Sequence, residues 1–578
     1  MLYPTVKRSP LFLSCLFFLF CASACSKGDA GSDNPPDPPY NGPATVIQST
    51  STTLDASTLV TFSDNSTQTV RFSKGALRIP LSGSGNKIIK SIKAGNDEEI
   101  LIGRKEGGTI SLNYDGDILR FRDPVNGAIP IGTYDEFQLI NFSETTLAAT
   151  YKLEADLDFM DISWTPIGKE RPREAFTGNF DGNNFKISNL NIYSGNEPAG
   201  LFGYADNTKN ANPPAQYIRN LTIASGSVKG GLAGAFLAKI SYSNNPFNPN
   251  ICVISNCVNY ASINGGLAGG IAVWCGTVEN CKNYGEVVSG DQGAGGIVYG
   301  AIKLDGCENF GNIKLNNDAI ANPVVGGIVG RFFGSTFSNC TNHGDITVNG
   351  NALSVTVGGI VGLRLVSSNT DASVKIINSG NIVCNNVKSA VCGGLVGANA
   401  GTTIVKASFN KGNITLTGTT NYAGGIIGGL NIRNGYGFEA VYNTGNISAS
   451  KIAGGLIGSY QLGEGNGGGT NTIERSYNTG TVTAITAGGV IGQDDASTNK
   501  TISNCFWKDI PTGNAIRAVG GSSVGNPATY TGSFVFSASA WPASANGWTV
   551  GNGSNGAYWK SLGNWNNGNS TYPQLYFE

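Results

Sequence analysis

The stretch "NTGNISASKIAGGLIG" at 443–458 is followed by "NTGTVTAITAGGVIG" at 478–492, and kindred stretches fill more than half of the 578 residues. The clearest mark is a Gly, an apolar residue, any residue, then Gly, as at Gly200 and Gly231, continued by the second glycine of a recurring Gly-Gly pair. It falls at Gly200, Gly231, Gly266, Gly296, Gly327, Gly359, Gly394, Gly425, Gly455 and Gly489, with gaps of 31, 35, 30, 31, 32, 35, 31, 30 and 34. Ten units at one period mean stacked repeats, each unable to bury its apolar side alone.

A second mark, Asn-x-Gly, lies between the first ones. Its asparagines are Asn283, Asn309, Asn342, Asn378, Asn410, Asn443 and Asn478, and Asn259 begins a variant, "NYASI". Four residues past each Asn stands a β-branched residue (Ile263, Val287, Ile313, Ile346, Ile382, Ile414, Ile447, Val482). Two before it the residue is small or apolar, and in four units it is cysteine: Cys257, Cys281, Cys307 and Cys340. No apolar stripe at helical spacing runs through these units, whereas short β-branched runs broken by Gly and Asn read as strands and turns.

These features predict an all-β chain: a parallel β-helix, or solenoid, of about ten coils, with a short capping helix and a small N-terminal β module. At about 4.8 Å per coil the rod is roughly 50 Å long, and right-handed winding is the default for parallel crossovers. In-register stacking turns the asparagines into a ladder, since an amide both donates and accepts. The glycine after each ladder Asn is expected to take the positive φ of a tight turn. The stacked cysteines are expected to be buried free thiols, because parallel Cβ vectors suit a disulfide poorly.

Composition narrows the partners. Charged residues are 13% and the net charge is -1, so no basic surplus exists to neutralise nucleic-acid phosphates. Residues 1–24 read as a signal peptide, with Lys7 and Arg8 ahead of the apolar run Leu11–Phe20. "ASAC" at 22–25 resembles a bacterial lipobox, in which Cys25 would receive lipid. Ala22 stands where such motifs usually carry Leu, and Ala22-Ser23-Ala24 also suits an ordinary signal peptidase, so free secretion is the alternative. The polar, Pro-rich residues 25–44 would be a tether. Residues 45–132 alternate and read as a small β-sandwich-like module. At 133–198, Thr133 and Glu136 form a capping box for a short helix carrying Phe137 and Ile140, which is expected to cover the first coil. The repeats occupy 199–507.

"AGGLIGS…IERSYNTGTVTA" resembles the GLUG repeat, named for its Gly-Leu-x-Gly core, over residues 199 to 507. The segment 151–193 also resembles the lead-in often seen before such repeats. The resemblance implies a bacterial surface protein, since GLUG repeats accompany large adhesins and the non-catalytic parts of some IgA proteases. The protease motif H-E-x-x-H is absent, and so is any C-x-x-C pair for zinc.

Candidate sites are few. The single histidine, His343, lies at the permissive middle of an Asn-x-Gly turn. Glu279 and Asp305 share the position four before the ladder Asn in adjacent coils, as do Glu439 and Glu474, and stacking would hold each pair about 5 Å apart, near the separation of a retaining glycosidase. Against catalysis, the position alternates with inward neighbours and no cluster of Arg or Lys is evident beside it. Trp541, Trp548, Trp559 and Trp565 in the aromatic-rich segment 508–578 could be a sugar-stacking platform or, as preferred, a cap whose indoles close the last coil. No metal or cofactor is implied.

The reading is therefore a non-catalytic, lipid-anchored outer-membrane protein at the cell surface, probing glycans or a host or neighbouring surface protein as a monomer. The uneven loops 242–250, 363–373 and 460–471 would supply selectivity. The alternatives are a β-helix polysaccharide lyase or glycoside hydrolase, and a rigid spacer presenting the N-terminal module.

Overall fold

The computed structural model describes residues 124–578 apart from short loop segments (142–143, 162, 171–173, 207–215, 242–251, 317–321, 336, 351–353, 366–371, 400–402, 432–435, 462–470, 495–499, 509–517, 522–528, 532–533 and 567–568), and strand segments between 44 and 121. Cys25, the leader and the tether lie outside the described residues, as do most of the three long loops.

Every coil contributes to three parallel sheets. The asparagine sheet holds the ladder residues, from Leu157–Asp158 to Phe534–Val535. The isoleucine sheet starts at the β-branched position and ends at a glycine, from Leu190–Tyr193 to Thr486–Gly488. The post-glycine sheet follows, and strands such as Val361–Arg364, Val396–Asn399 and Ile427–Asn431 stack in it. In the isoleucine sheet Ile263, Val287, Ile313, Ile346, Ile382, Ile414, Ile447 and Val482 pair in unbroken succession, each buried. This is the all-β solenoid of about ten coils that the repeat spacing requires.

Register corrects two of the repeat marks. Gly200 pairs through the Ala199–Ala233 step with Gly234, and Gly234, Gly269 and Gly295 stack directly. The equivalents of the later Gly-Gly pairs are thus Gly234-Ala235 and Gly269-Gly270, and the marks at Gly231 and Gly266 lie four residues early. "GGLAG" is locally ambiguous because its glycines recur every three residues, and only the stacking partner resolves which one turns the corner.

The glycines serve close approach. In coil 393–410, a Cβ on Gly393 would stand 1.9 Å from the Val396 carbonyl oxygen; one on Gly397 would stand 2.6 Å from the Val357 oxygen. Between them Leu395 and Val396 are fully buried in the core. The glycine after the ladder Asn does not take positive φ, contrary to expectation. It is needed because a Cβ on Gly412 would meet the Gly380 carbonyl oxygen at 1.9 Å. The left-handed residues stand three before the ladder instead: Asn256, Asn280, Asn339, Lys375, Ala407, Ala440, Arg475 and Asn504, with φ between 44° and 54°, and Gly306 at 65°. Asn tolerates this region best, which accounts for its recurrence at that column.

The front end is closed as the capping box predicts. Thr133 Oγ1 accepts from Glu136 N at 3.2 Å, and Glu136 Oε2 accepts from Thr133 N at 3.2 Å and Gly132 N at 2.6 Å. One helical turn, Tyr134–Gln138, follows. Phe137 and Ile140 are fully buried, and Phe137 packs against Phe159, Trp164 and Phe180 at the mouth of the first coil. Ahead of it, strands in the order 44–48, 76–80, 67–73, 56–62, 89–94 and 98–100 form an antiparallel sheet, and 112–115 pairs with 118–121.

Candidate functional site

The asparagine ladder is continuous. Asn259, Asn283, Asn309, Asn342, Asn378, Asn410, Asn443 and Asn478 are all buried, and each Nδ2 donates to the next Oδ1 at 2.7–2.9 Å. Each Nδ2 also donates to the carbonyl two residues on, for example Asn410 to Gly412 at 2.8 Å. The amides are thus saturated, as buried polar groups must be, and the ladder is structural. Ile223 precedes it and Trp507 follows it in register.

Outside the ladder, the residue between Asn and Gly points to solvent. Tyr260, Tyr284, Phe310 and His343 stack there with centroids 4.6 Å apart at each step and rings within 11° of parallel. Tyr260 is 50% and Tyr284 38% exposed. Two residues earlier on the same strands, Lys282 and Glu308 pair at 2.8 Å. The strip was visible in the sequence as "NY", "NY", "NF", "NH" in four consecutive units; treating that position as permissive hid it. His343 is the last ring of this stack.

The acid pairs are in register as predicted, Glu279 with Asp305 and Glu439 with Glu474. Cations do stand beside them, where the sequence showed no cluster of Arg or Lys. Glu279 bonds Lys303 Nζ at 2.6 Å, and Asp305 accepts from Asn339 Nδ2 at 2.7 Å. Glu439 lies between Lys406, at 2.9 Å, and Arg475, which also reaches Glu474 at 2.8 Å. Arg475 escaped notice because it occupies the left-handed bend, from which its side chain folds back over the acid row. Burial works to raise the Glu439 pKa, but Lys406 and Arg475 outweigh it and hold the carboxyl below its usual range. A general acid needs the opposite shift.

The tryptophans clad a flank instead of closing the last coil. Trp548 and Trp559 are buried and stacked at 4.6 Å. They pack with Phe506 and Tyr477 on the outer side of the asparagine sheet, in a cluster that also holds Ala407, Phe409, Ala440 and Tyr442. Trp548 Nε1 donates to Asn504 O and Trp541 Nε1 to Leu562 O. The end of the chain completes the clamp: Glu578 accepts from the Tyr442 hydroxyl at 2.6 Å, and Tyr477 donates to Pro573 O at 2.7 Å. Trp565 alone of the four is substantially exposed, at 37%.

The nine described cysteines are all buried, and none of them is in a disulfide. Among the described residues no group of three or more His, Cys, Asp or Glu is arranged to hold a metal, and no helix is long and apolar enough to cross a membrane.

No family model matches the chain. It is 33% identical over 131 residues to halomucin of Haloquadratum walsbyi, a match covering 22% of this chain; that match spans 1% of halomucin's length. Among solved structures, a "putative immunoglobulin A1 protease" from Bacteroides ovatus aligns with 78% of this chain and 93% of its own, at 15% identity and a TM-score of 0.29.

Proposed function

We propose that this chain is a cell-surface binding protein of the GLUG-repeat kind, lipid-anchored at Cys25, whose solenoid offers a rigid face for glycan or surface-protein contact and has no catalysis of its own. The observation that carries the reading is the aromatic strip Tyr260–Tyr284–Phe310–His343, stacked in register along the outer side of the coils. The uneven loops support it. The described strands around 366–371 and 462–470 end in the post-glycine sheet at Arg364 and Gln461 and resume in the asparagine sheet at Ser373 and Asn471, whereas Leu237–Ile240 and Val253–Ser255, around 242–251, both belong to the post-glycine sheet. Variable loops on a stiff scaffold are the usual carriers of selectivity.

The test is a glycan and matrix-protein array with the full chain, repeated with Tyr260→Ser and Tyr284→Ser. Binding that weakens tenfold or more while the melting temperature holds supports the strip as the contact; unchanged binding by both variants removes it. Surface display is tested by protease shaving of intact cells, and the anchor by loss of fatty-acid labelling in Cys25→Ser. The in-register Glu279–Asp305 pair keeps one enzymatic reading open, a polysaccharide lyase or hydrolase. Turnover of an acidic polysaccharide that disappears in Glu279→Gln would replace the binding proposal.

A further inference from the structure

Two of the nine buried cysteines face each other. Cys384 and Cys392 lie in one coil, on strands Ile382–Asn385 and Ser389–Gly393, on either side of the bend at Asn386 (φ 58°). Their sulfurs are 3.7 Å apart, in van der Waals contact, and both residues are fully buried. The other coils place an apolar pair at the same two positions: Val348 with Val357 before, Leu416 with Ala423 after. This coil alone of the three has a thiol at both.

The stacked cysteines are held differently. Cys257, Cys281, Cys307 and Cys340 each donate to the carbonyl two residues back, at 3.1–3.4 Å, and Cys275 donates to the Cys252 carbonyl at 3.2 Å. Stacking also keeps their Cβ vectors parallel, an orientation a disulfide does not accept. Side-chain contacts also link Cys252 with Cys275, Cys257 with Cys281 and Cys307 with Cys340, but Cys257, Cys275, Cys281, Cys307 and Cys340 each also donate to a backbone oxygen.

We propose that Cys384 and Cys392 form a disulfide that closes the 386–388 bend, by exchange with a small-molecule disulfide when the chain folds in an oxidising compartment. One cysteine loses its proton, and its thiolate attacks the external disulfide. That step forms a mixed disulfide and releases one thiolate, which takes up the proton. The second cysteine, also deprotonated, attacks the mixed disulfide and expels the other half as a thiol. Two protein thiols are oxidised and one external disulfide is reduced to two thiols. An odd set of nine then leaves seven outside any disulfide. Burial pushes the Cys392 thiol well above its usual range, so the folded coil exchanges slowly and closure belongs to the folding phase, while the bend is still open.

Trypsin gives a direct readout, because Lys375, Lys388 and Lys406 place the two cysteines on separate peptides, 376–388 and 389–406. The full chain is refolded with oxidised and reduced glutathione, acid-quenched, denatured, alkylated and digested. The expected result is a linked 376–388/389–406 pair that separates on reduction, with seven alkylated body cysteines. Oxidant added after folding should act at least tenfold more slowly. Both peptides recovered separately and alkylated would overturn the proposal, and so would cross-links from Cys384 or Cys392 to any other cysteine. The double variant Cys384→Val with Cys392→Ala, which restores the apolar pair of adjacent coils, should fold and lose only this cross-link; if it still yields a two-thiol deficit, the pair is wrongly assigned.

Discussion

Gly394 rests on the side chain of Asn410: a Cβ built on the glycine would stand 2.5 Å from Asn410 Cγ and 2.0 Å from the Gly425 carbonyl oxygen of the next coil. The same contact recurs for Gly296 with Asn309, Gly327 with Asn342, Gly359 with Asn378, Gly425 with Asn443 and Gly455 with Asn478. The two sequence marks are therefore one device, in which the corner glycine makes room for the ladder amide of its own coil. Gly394→Ala should destabilise by about 3 kcal/mol or more, since neither the carbonyl nor the saturated amide has room to move. Gly437→Ala, whose nearest neighbour would be at 3.7 Å, should be within about 0.5 kcal/mol of wild type. Thermal or denaturant melts of the two variants measure the difference, and equal effects would show that the contact is not the reason for the glycine.

The ladder makes a separate prediction. Asn410 receives one hydrogen bond from Asn378 and donates two, to Asn443 and Gly412. Asn410→Ala should cost about 2–4 kcal/mol, because it leaves a cavity and buried donors and acceptors without partners. Asn410→Asp should be worse at neutral pH, where an ionised carboxylate can donate nothing and sits buried beside the Gly412 and Asn443 oxygens. Its folded pKa should be raised above the unfolded value, so the folded state binds more protons. Stability then falls as pH rises through the unfolded pKa and recovers on acidification. A melt series from pH 7 to pH 4 that shows no recovery in Asn410→Asp relative to wild type would contradict this.

Glu439 titrates in the opposite sense. Its folded pKa is depressed by Lys406 and Arg475, so the stability it contributes is present above the unfolded carboxylate pKa and is lost as pH falls through the depressed folded value. Glu439→Gln should cost about 1–2 kcal/mol at pH 7, discounted from a fully buried pair because the groups are partly exposed. The gap between variant and wild type should narrow below about pH 4. A constant difference from pH 7 to pH 3 would mean packing, not charge, sets the cost.

The solenoid was legible because its determinants are local and repeated. Asn410 and Asn443 recur at a fixed place, and stacking follows from recurrence alone. What escaped depended on the third dimension. Gly231 and Gly266 were misassigned because "GGLAG" offers two registers with identical local chemistry. The positive φ was given to Gly412 and its equivalents because Asn-x-Gly reads as a turn, whereas the left-handed residue is Ala407, a type with no preference for that conformation. Arg475 could be placed against Glu439 only once that bend was known. The strip of Tyr260, Tyr284, Phe310 and His343 exists only between coils, where residues 24 to 33 apart in the chain become neighbours.

The C-terminal segment yields the last prediction. Trp548 and Trp559 cover Tyr477 and Phe506 on the flank, and Glu578 holds the Tyr442 hydroxyl. If this segment is a cladding, loosening it should expose Phe409, Tyr442 and Tyr477 without unwinding the coils, because their ladder bonds at Asn410, Asn443 and Asn478 do not involve it. Trp548→Ala should therefore cost about 3–5 kcal/mol in the stability of the segment, increase binding of a hydrophobic dye and speed hydrogen exchange across 534–578. Exchange at 382–399, which contributes no residue to that cluster, should stay near wild type. Tyr442→Phe, which removes only the hydroxyl contact, should shift the same signals by a smaller amount, about 1–2 kcal/mol. Were the indoles instead closing the last coil, Trp548→Ala would fray the rod from its end, and protection would be lost at 482–507 before it changed at Tyr442.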